Sequence, residues 1–174
     1  MRSRVERICL LLSAFFVALG AVALAQPPQG RGMGHARGMM MDETHQTDME
    51  VFHQLFDQRT EIRREVTRLR DGVDTLTESD NPKVTELLQR HLDSMVARVH
   101  EARPIHQRDP LFQEIFANAS KIRMDVRRTP KGVRVIETSD DPYVAKLINQ
   151  HADVIGLFIA NGRSEAMKDH PVVK

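Results

Sequence analysis

The chain has a single cysteine, no tryptophan and almost no net charge. That cysteine, Cys9, lies just ahead of an N-terminal apolar run. Arg2, Arg4 and Arg7 precede the run Leu10–Leu24, and Ala23-Leu24-Ala25 offers a small-residue cut before Gln26, the layout of a secretory leader. The run is short for a membrane span. Cleavage after Ala25 would give a periplasmic or secreted chain with no stable membrane insertion and no cysteine. Such a chain can form no disulfide, no thiolate metal site and no covalent c-type haem link, which needs C-x-x-C-H. Without residues 1–25, 22 basic face 23 acidic side chains. That balance gives no support to a nucleic-acid partner. The scarcity of aromatics also argues against a base-stacking surface.

Other absences narrow the chemistry. There is no nucleophile elbow, no glycine-rich phosphate loop and no close acidic pair inside a predicted pocket. No H-x-x-x-H spacing occurs on a predicted helix, and E-x-x-H occurs once, Glu50…His53, where a ferritin-like di-iron centre needs it on two helices, so that centre is not expected. Asn118-Ala119-Ser120 is a glycosylation sequon inside a predicted helix and carries no information behind a bacterial-looking leader.

What is present is a duplication. Laid over each other without a gap, 52–103 and 112–163 agree at 16 of 52 positions. The shared residues include Phe52/Phe112, Arg63/Arg123, Arg68/Arg128, Gly72/Gly132, Ser79/Ser139, Asp80/Asp140, Pro82/Pro142, His91/His151 and Asp93/Asp153. Two copies suggest a closed pseudo-twofold domain rather than a solenoid.

Each copy reads as helix, loop, helix. Val84, Leu87, Leu88, His91, Met95 and Val99 step by three or four residues, as do Val144, Leu147, Ile148, His151, Ile155 and Ile159. Leu55, Ile62, Val66 and Leu69 extend a first helix from about Asp48 to Arg70, with Gly72 near its C-cap. The third helix would open at Pro110 and stop by Thr129. The fold class expected is all-α, an antiparallel four-helix bundle of two helix-loop-helix hairpins over 48–163. The intra-repeat segments VDTLTESD and VRVIETSD are β-branched enough to add a short β-ribbon. Residues 26–47 read as a disordered Met/His/Gly-rich segment and 164–174 as a loose tail.

His91 and His151 carry the sharpest chemical signal. In an up-down bundle their helices would run parallel, and the two imidazoles would meet across the pseudo-axis, able to ligate a metal ion or a non-covalent haem iron. Ala152 and Gly156 would leave room for a flat ring. Core histidines with a structural role are the plain alternative. Two histidines do not complete a zinc site. His53, Met95 and Met124 are candidate auxiliary ligands. In the N-terminal segment, His35, Met39, Met40, Met41 and His45 combine thioether and imidazole, a set that suits copper. Arg63 and Arg123 with Asp80 and Asp140 suggest paired loop fasteners, or a clamp for an anionic group such as a haem propionate.

The chain resembles secreted bacterial helical proteins that carry two copies of a G-V…S-D-x-P…H unit. Here the unit is Gly72-Val73, Ser79-Asp80, Pro82 and His91, and again Gly132-Val133, Ser139-Asp140, Pro142 and His151. The resemblance implies export and no particular activity. The expected bundle is also similar in architecture to periplasmic cytochromes of the b562 and c′ kind, without their haem-attachment residues. Two functions follow as expectations. One is an exported, non-enzymatic module that binds copper or haem. The other is a cofactor-free module whose partner is another envelope protein.

Overall fold

In the computed structural model, the described residues are 33–172, with side chains from Thr44 onward. The leader 1–25, its cut after Ala25, and the side chains of His35, Met39, Met40 and Met41 lie outside them. Helix α1 spans Met33–Asp57 and begins inside the stretch whose composition suggests disorder. A single 3-10 turn follows at Arg59–Glu61, and the chain then becomes a strand, β1, Arg63–Leu69. The order continues β2 (Gly72–Glu78), α2 (Pro82–His100), α3 (Pro110–Ala117), β3 (Arg123–Thr129), β4 (Gly132–Thr138), α4 (Pro142–Asn161) and a short α5 (Arg163–Ala166).

The all-α bundle is therefore wrong. Each repeat is helix, β-hairpin, helix, and the four strands form one antiparallel sheet in the order β1-β2-β4-β3. The expected first and third helices stop at Asp57 and Ala117, and their C-terminal halves are edge strands. The likeness to four-helix cytochromes falls with the bundle. The extended segments after Gly72 and Gly132 do pair with each other, as the two central strands.

The β2–β4 register is symmetric about the Thr75–Val135 pair: Gly72 faces Thr138 and Gly132 faces Glu78. The pseudo-twofold thus passes through the sheet at that pair, where the Thr75 hydroxyl donates to the Val135 carbonyl at 3.2 Å. Both glycines are demanded by this seam. A Cβ at Gly72 would lie 1.9 Å from the Glu137 carbonyl oxygen, and one at Gly132 would lie 2.1 Å from that of Thr77.

One sheet face is covered by helices and the other is not, as antiparallel sheets allow. Val73 packs with Val144, Ile148 and Ala152 of α4, while Val133 and Val135 pack with Leu92 of α2. Each long helix therefore lies over the central strand of the other repeat. Related by an axis through the sheet, α2 and α4 run antiparallel, not parallel. Helix α1 covers α2 through Val51, Leu55, Val84, Leu87 and Leu88, and α3 covers α4 through Leu111, Ile115, Leu147 and Val154. Both long helices carry proline at their first positions, with Asn81 and Asp141 accepting hydrogen bonds from Lys83 and Tyr143 as N-caps. Among the described residues no helix is long and apolar enough to cross a membrane.

Candidate functional site

The repeated residues sort into pairs that touch. Arg63 reaches Asp80 at 2.5 Å, and Arg123 grips Asp140 with two nitrogens. Each pair ties the start of a hairpin to the loop that leads into the long helix. Hydrogen bonding to Arg63 and Lys131 holds the Asp80 carboxyl well below the usual carboxylate range. All four side chains are more than half exposed, so solvent screens both pairs and they orient the loops more than they stabilise the fold. The guanidinium groups of the expected anion clamp are thus engaged within the chain.

A second repeated set crosses between the halves. Arg68 on β1 bonds Asp153 and Asn149 of α4, and Arg128 on β3 bonds Asp93 of α2. The Ser79 amide donates to the Lys131 carbonyl and the Ser139 amide to that of Asp71, both at 2.9 Å. Each hairpin turn is thereby sewn to the partner repeat.

The third set is the histidines. His91 packs edge-on against Phe52, centroids 4.7 Å apart, and His151 does the same against Phe112 at 5.4 Å. Both phenylalanines and both histidines are repeat equivalents, so the contact itself was duplicated. Phe56 and Phe158 extend these pairs into one aromatic string. Phe52 stacks on Phe56, Phe56 meets Phe158, and Phe158 stacks on Phe112. The bundle that was to join the two imidazoles is gone; the aromatic string links them instead, with one half-buried imidazole at each end. The charge of Arg64 is felt at both rings, and that of His91 at His151. Burial pushes both histidines down to about 4, so the rings are neutral at ordinary pH. Neither imidazole makes a hydrogen bond among the described residues.

Arg64 and Glu137 were not singled out in the sequence, and both belong to this interior. They lie on the inner sheet face, on β1 and β4, where their repeat equivalents are Met124 and Thr77. Arg64 donates to the Thr77 hydroxyl at 2.7 Å, and its Nε is buried without a partner. Burial lowers the Arg64 pKa and raises that of Glu137. The signal that could have found them is broken symmetry: charge on one side of the duplication and a neutral residue on the other.

No family model, curated protein or solved structure matches this chain. The geometry must therefore speak for itself. Of the auxiliary ligands proposed from sequence, Met124 is on the inner face of β3 and packs against Leu92, Val133 and Val135. Met95 is half-buried on α2, while His53 and His45 on α1 are exposed. Ala152 is packed under α4 against Val73, and Gly156 faces open space, so neither opens room for a flat ring beside His151. The shallow cavity of about 100 Å³ lined by Asp125, Arg127, Arg134 and Ile136 is on the opposite, uncovered sheet face.

The C-terminal segment is not loose. His170 places Nδ1 2.5 Å from the buried Asp109 carboxylate and Nε2 3.3 Å from Glu165, and its carbonyl accepts from the Leu111 amide. Hydrogen bonds from Lys168 and Asn161, with His170, lower Glu165 to about 2. Asp109 also caps α3 through Leu111 at 2.9 Å. This cluster straps the chain end over α3.

Proposed function

We propose that the chain is an exported, non-enzymatic binding module that holds a metal ion between His91 and His151. The observation that carries this reading is the duplicated aromatic–imidazole contact, which places a neutral, hydrogen-bond-free imidazole at each end of one aromatic string. Both rings are half-buried, and ring nitrogens that bond no other group keep a lone pair open to an ion. A metal needs the neutral ring, and burial supplies it. The packing of Ala152 favours a bare ion over a flat macrocycle. The Met/His-rich segment with His35, Met39, Met40, Met41 and His45 serves as an auxiliary copper-capturing arm. Export rests on the leader.

The test is metal analysis and absorption spectroscopy of the mature chain, purified from its native compartment and after loading with copper. A stoichiometric ion that disappears in His91→Ala and in His151→Ala is the expected result. Full metal content in both variants would overturn the assignment. The second reading, a cofactor-free module for an envelope partner, is favoured by one observation: each imidazole already has a phenylalanine edge to pack on. On that reading His91→Leu and His151→Leu leave partner binding and the fold at neutral pH unchanged, because no hydrogen bond is lost.

A further inference from the structure

We infer that the segment after α5 is a lid over a helix-docking groove of the second repeat, and that the groove takes an amphipathic helix of a partner protein carrying one basic side chain. Neither His91 nor His151 takes part, and the groove exists whether or not those rings hold an ion.

The two repeats cover their second helices differently. In the first, α1 begins well ahead of Glu50, the match of Pro110, where α3 begins. Within that extra length Asp48 accepts from the Ser94 hydroxyl at 2.5 Å and from Arg98 Nε at 2.6 Å, so α1 lies along α2 there. In the second repeat the matching stretch is the link between α2 and α3, and it is not helical. The α4 residues that match Ser94 and Arg98 are Val154 and Phe158. Where α2 offers a hydroxyl and a guanidinium to a helix, α4 offers an aliphatic and an aromatic side chain to an irregular segment. Val172 packs against the cluster that contains Leu111, Val154 and Phe158, and the His170 ring meets Phe158 edge-on at 5.9 Å. The strap thus fills on α4 the groove that a helix fills on α2.

The latch is small. His170 places its ring nitrogens 2.5 Å from Asp109 and 3.3 Å from Glu165, both buried, and its carbonyl accepts from the Leu111 amide at 3.2 Å. Residues 167–172 form no helix or strand of their own. A segment held by so few bonds belongs to the part of a fold that opens locally.

What the strap supplies defines what can replace it. The apolar floor asks for an apolar stripe, as in helix-in-groove recognition. Asp109 and Glu165 ask for a donor, best a cation, because a buried carboxylate stripped of its partner is costly. A helix with aliphatic side chains three and four residues apart, and one Lys or Arg beside that stripe, meets both needs. An acidic helix meets only the first.

The experiment uses the full mature chain, isotope-labelled for NMR. The probes are two synthetic helical peptides with the same leucine stripe, one with lysine and one with glutamate on the polar face. Backbone relaxation of residues 167–172 reports the lid, and amide shifts at Leu111, Phe158 and Ala166 report the groove. The expected strap is as rigid as α4 in the native chain and mobile in His170→Ala. The lysine peptide binds that variant about tenfold or more tightly than the native chain, the range for lost charge-assisted hydrogen bonds, and the glutamate peptide binds neither. Should His170→Ala lose its native circular dichroism, Val172→Asp opens the lid from the apolar side and keeps the imidazole. A strap that stays rigid in both variants overturns the lid. A mobile strap with no lysine-peptide shifts at Leu111, Phe158 and Ala166 overturns the groove. Equal binding of the two peptides overturns the role given to Asp109 and Glu165. None of these outcomes bears on an ion at His91 and His151.

Discussion

Gly72 and Gly132 show how a single missing methyl group can hold a sheet together. Neither has a positive φ; each is required because the neighbouring strand's carbonyl sits where a Cβ would be. Gly132→Ala forces two backbones apart at the seam, and we expect a loss of about 3 kcal/mol or more in urea unfolding, near the upper end for overpacking. Asp48 makes a different case. It is buried and bonded to Arg98 at 2.6 Å and to Ser94 at 2.5 Å, fastening α1 to α2. Asp48→Ala would leave a buried guanidinium unpaired at a cost of about 3–5 kcal/mol, while Asp48→Leu combined with Arg98→Met should recover most of it. The same unfolding titration reads both. At this scale the sequence was a good guide to which residues matter and a poor one to why. The repeated glycine looked like a helix cap, and the repeated Asp93 and Asp153 stood only as a match between the repeats. The first is a close approach of two strands. The second is one end of a bond to the other repeat, and no spacing within one helix could disclose it.

At the scale of elements, the long helices were legible and the hairpins were not. Pro82 and Pro142, each after a capping residue, mark true helix starts, and the three-and-four spacing after them is real. Asn81→Ala or Asp141→Ala should each cost about 1 kcal/mol, measurable by thermal unfolding. The first strands hid because their inner faces are not uniformly apolar. Arg64, Val66 and Arg68 alternate inward on β1, and Met124, Val126 and Arg128 on β3, so period two is masked by arginine. Ile62, Val66 and Leu69 happen to fall at helical spacing. The turn signals were present as Arg70-Asp71-Gly72 and Pro130-Lys131-Gly132, two-residue loops that join β1 to β2 and β3 to β4. Asp-Gly is a hairpin signal, and Pro130 opens a turn as readily as it stops a helix. The histidine pair was argued from parallel helices that do not exist; a twofold arrangement of the repeats places equivalent residues symmetrically about one axis but does not by itself bring them together.

At the scale of the whole molecule, the buried histidines tie stability to pH. Their folded pKa of about 4 lies below the ordinary 6.5, so the unfolded chain binds protons first as pH falls. Their contribution is complete above pH 6.5 and is lost as pH drops toward 4, on the order of 2–3 kcal/mol for each ring. Glu137 works in the opposite sense, because burial raises its pKa and the folded chain takes up its proton more readily. Melting temperature should therefore fall between pH 6.5 and 4, more steeply in Glu137→Gln and much less in the doubly substituted His91→Leu, His151→Leu chain. A melting temperature flat across that window in the native chain would show that the two rings are not held neutral.

Because every hairpin is sewn to the opposite repeat, the peptide link around residues 101–109 bears little of the load. It contains Ala102 and His106, the two non-glycine residues with positive φ among the described residues. A protease nick in that link should leave both pieces travelling together through a sizing column. Expressed separately, the two pieces should find one another in solution like the partners of a dimer.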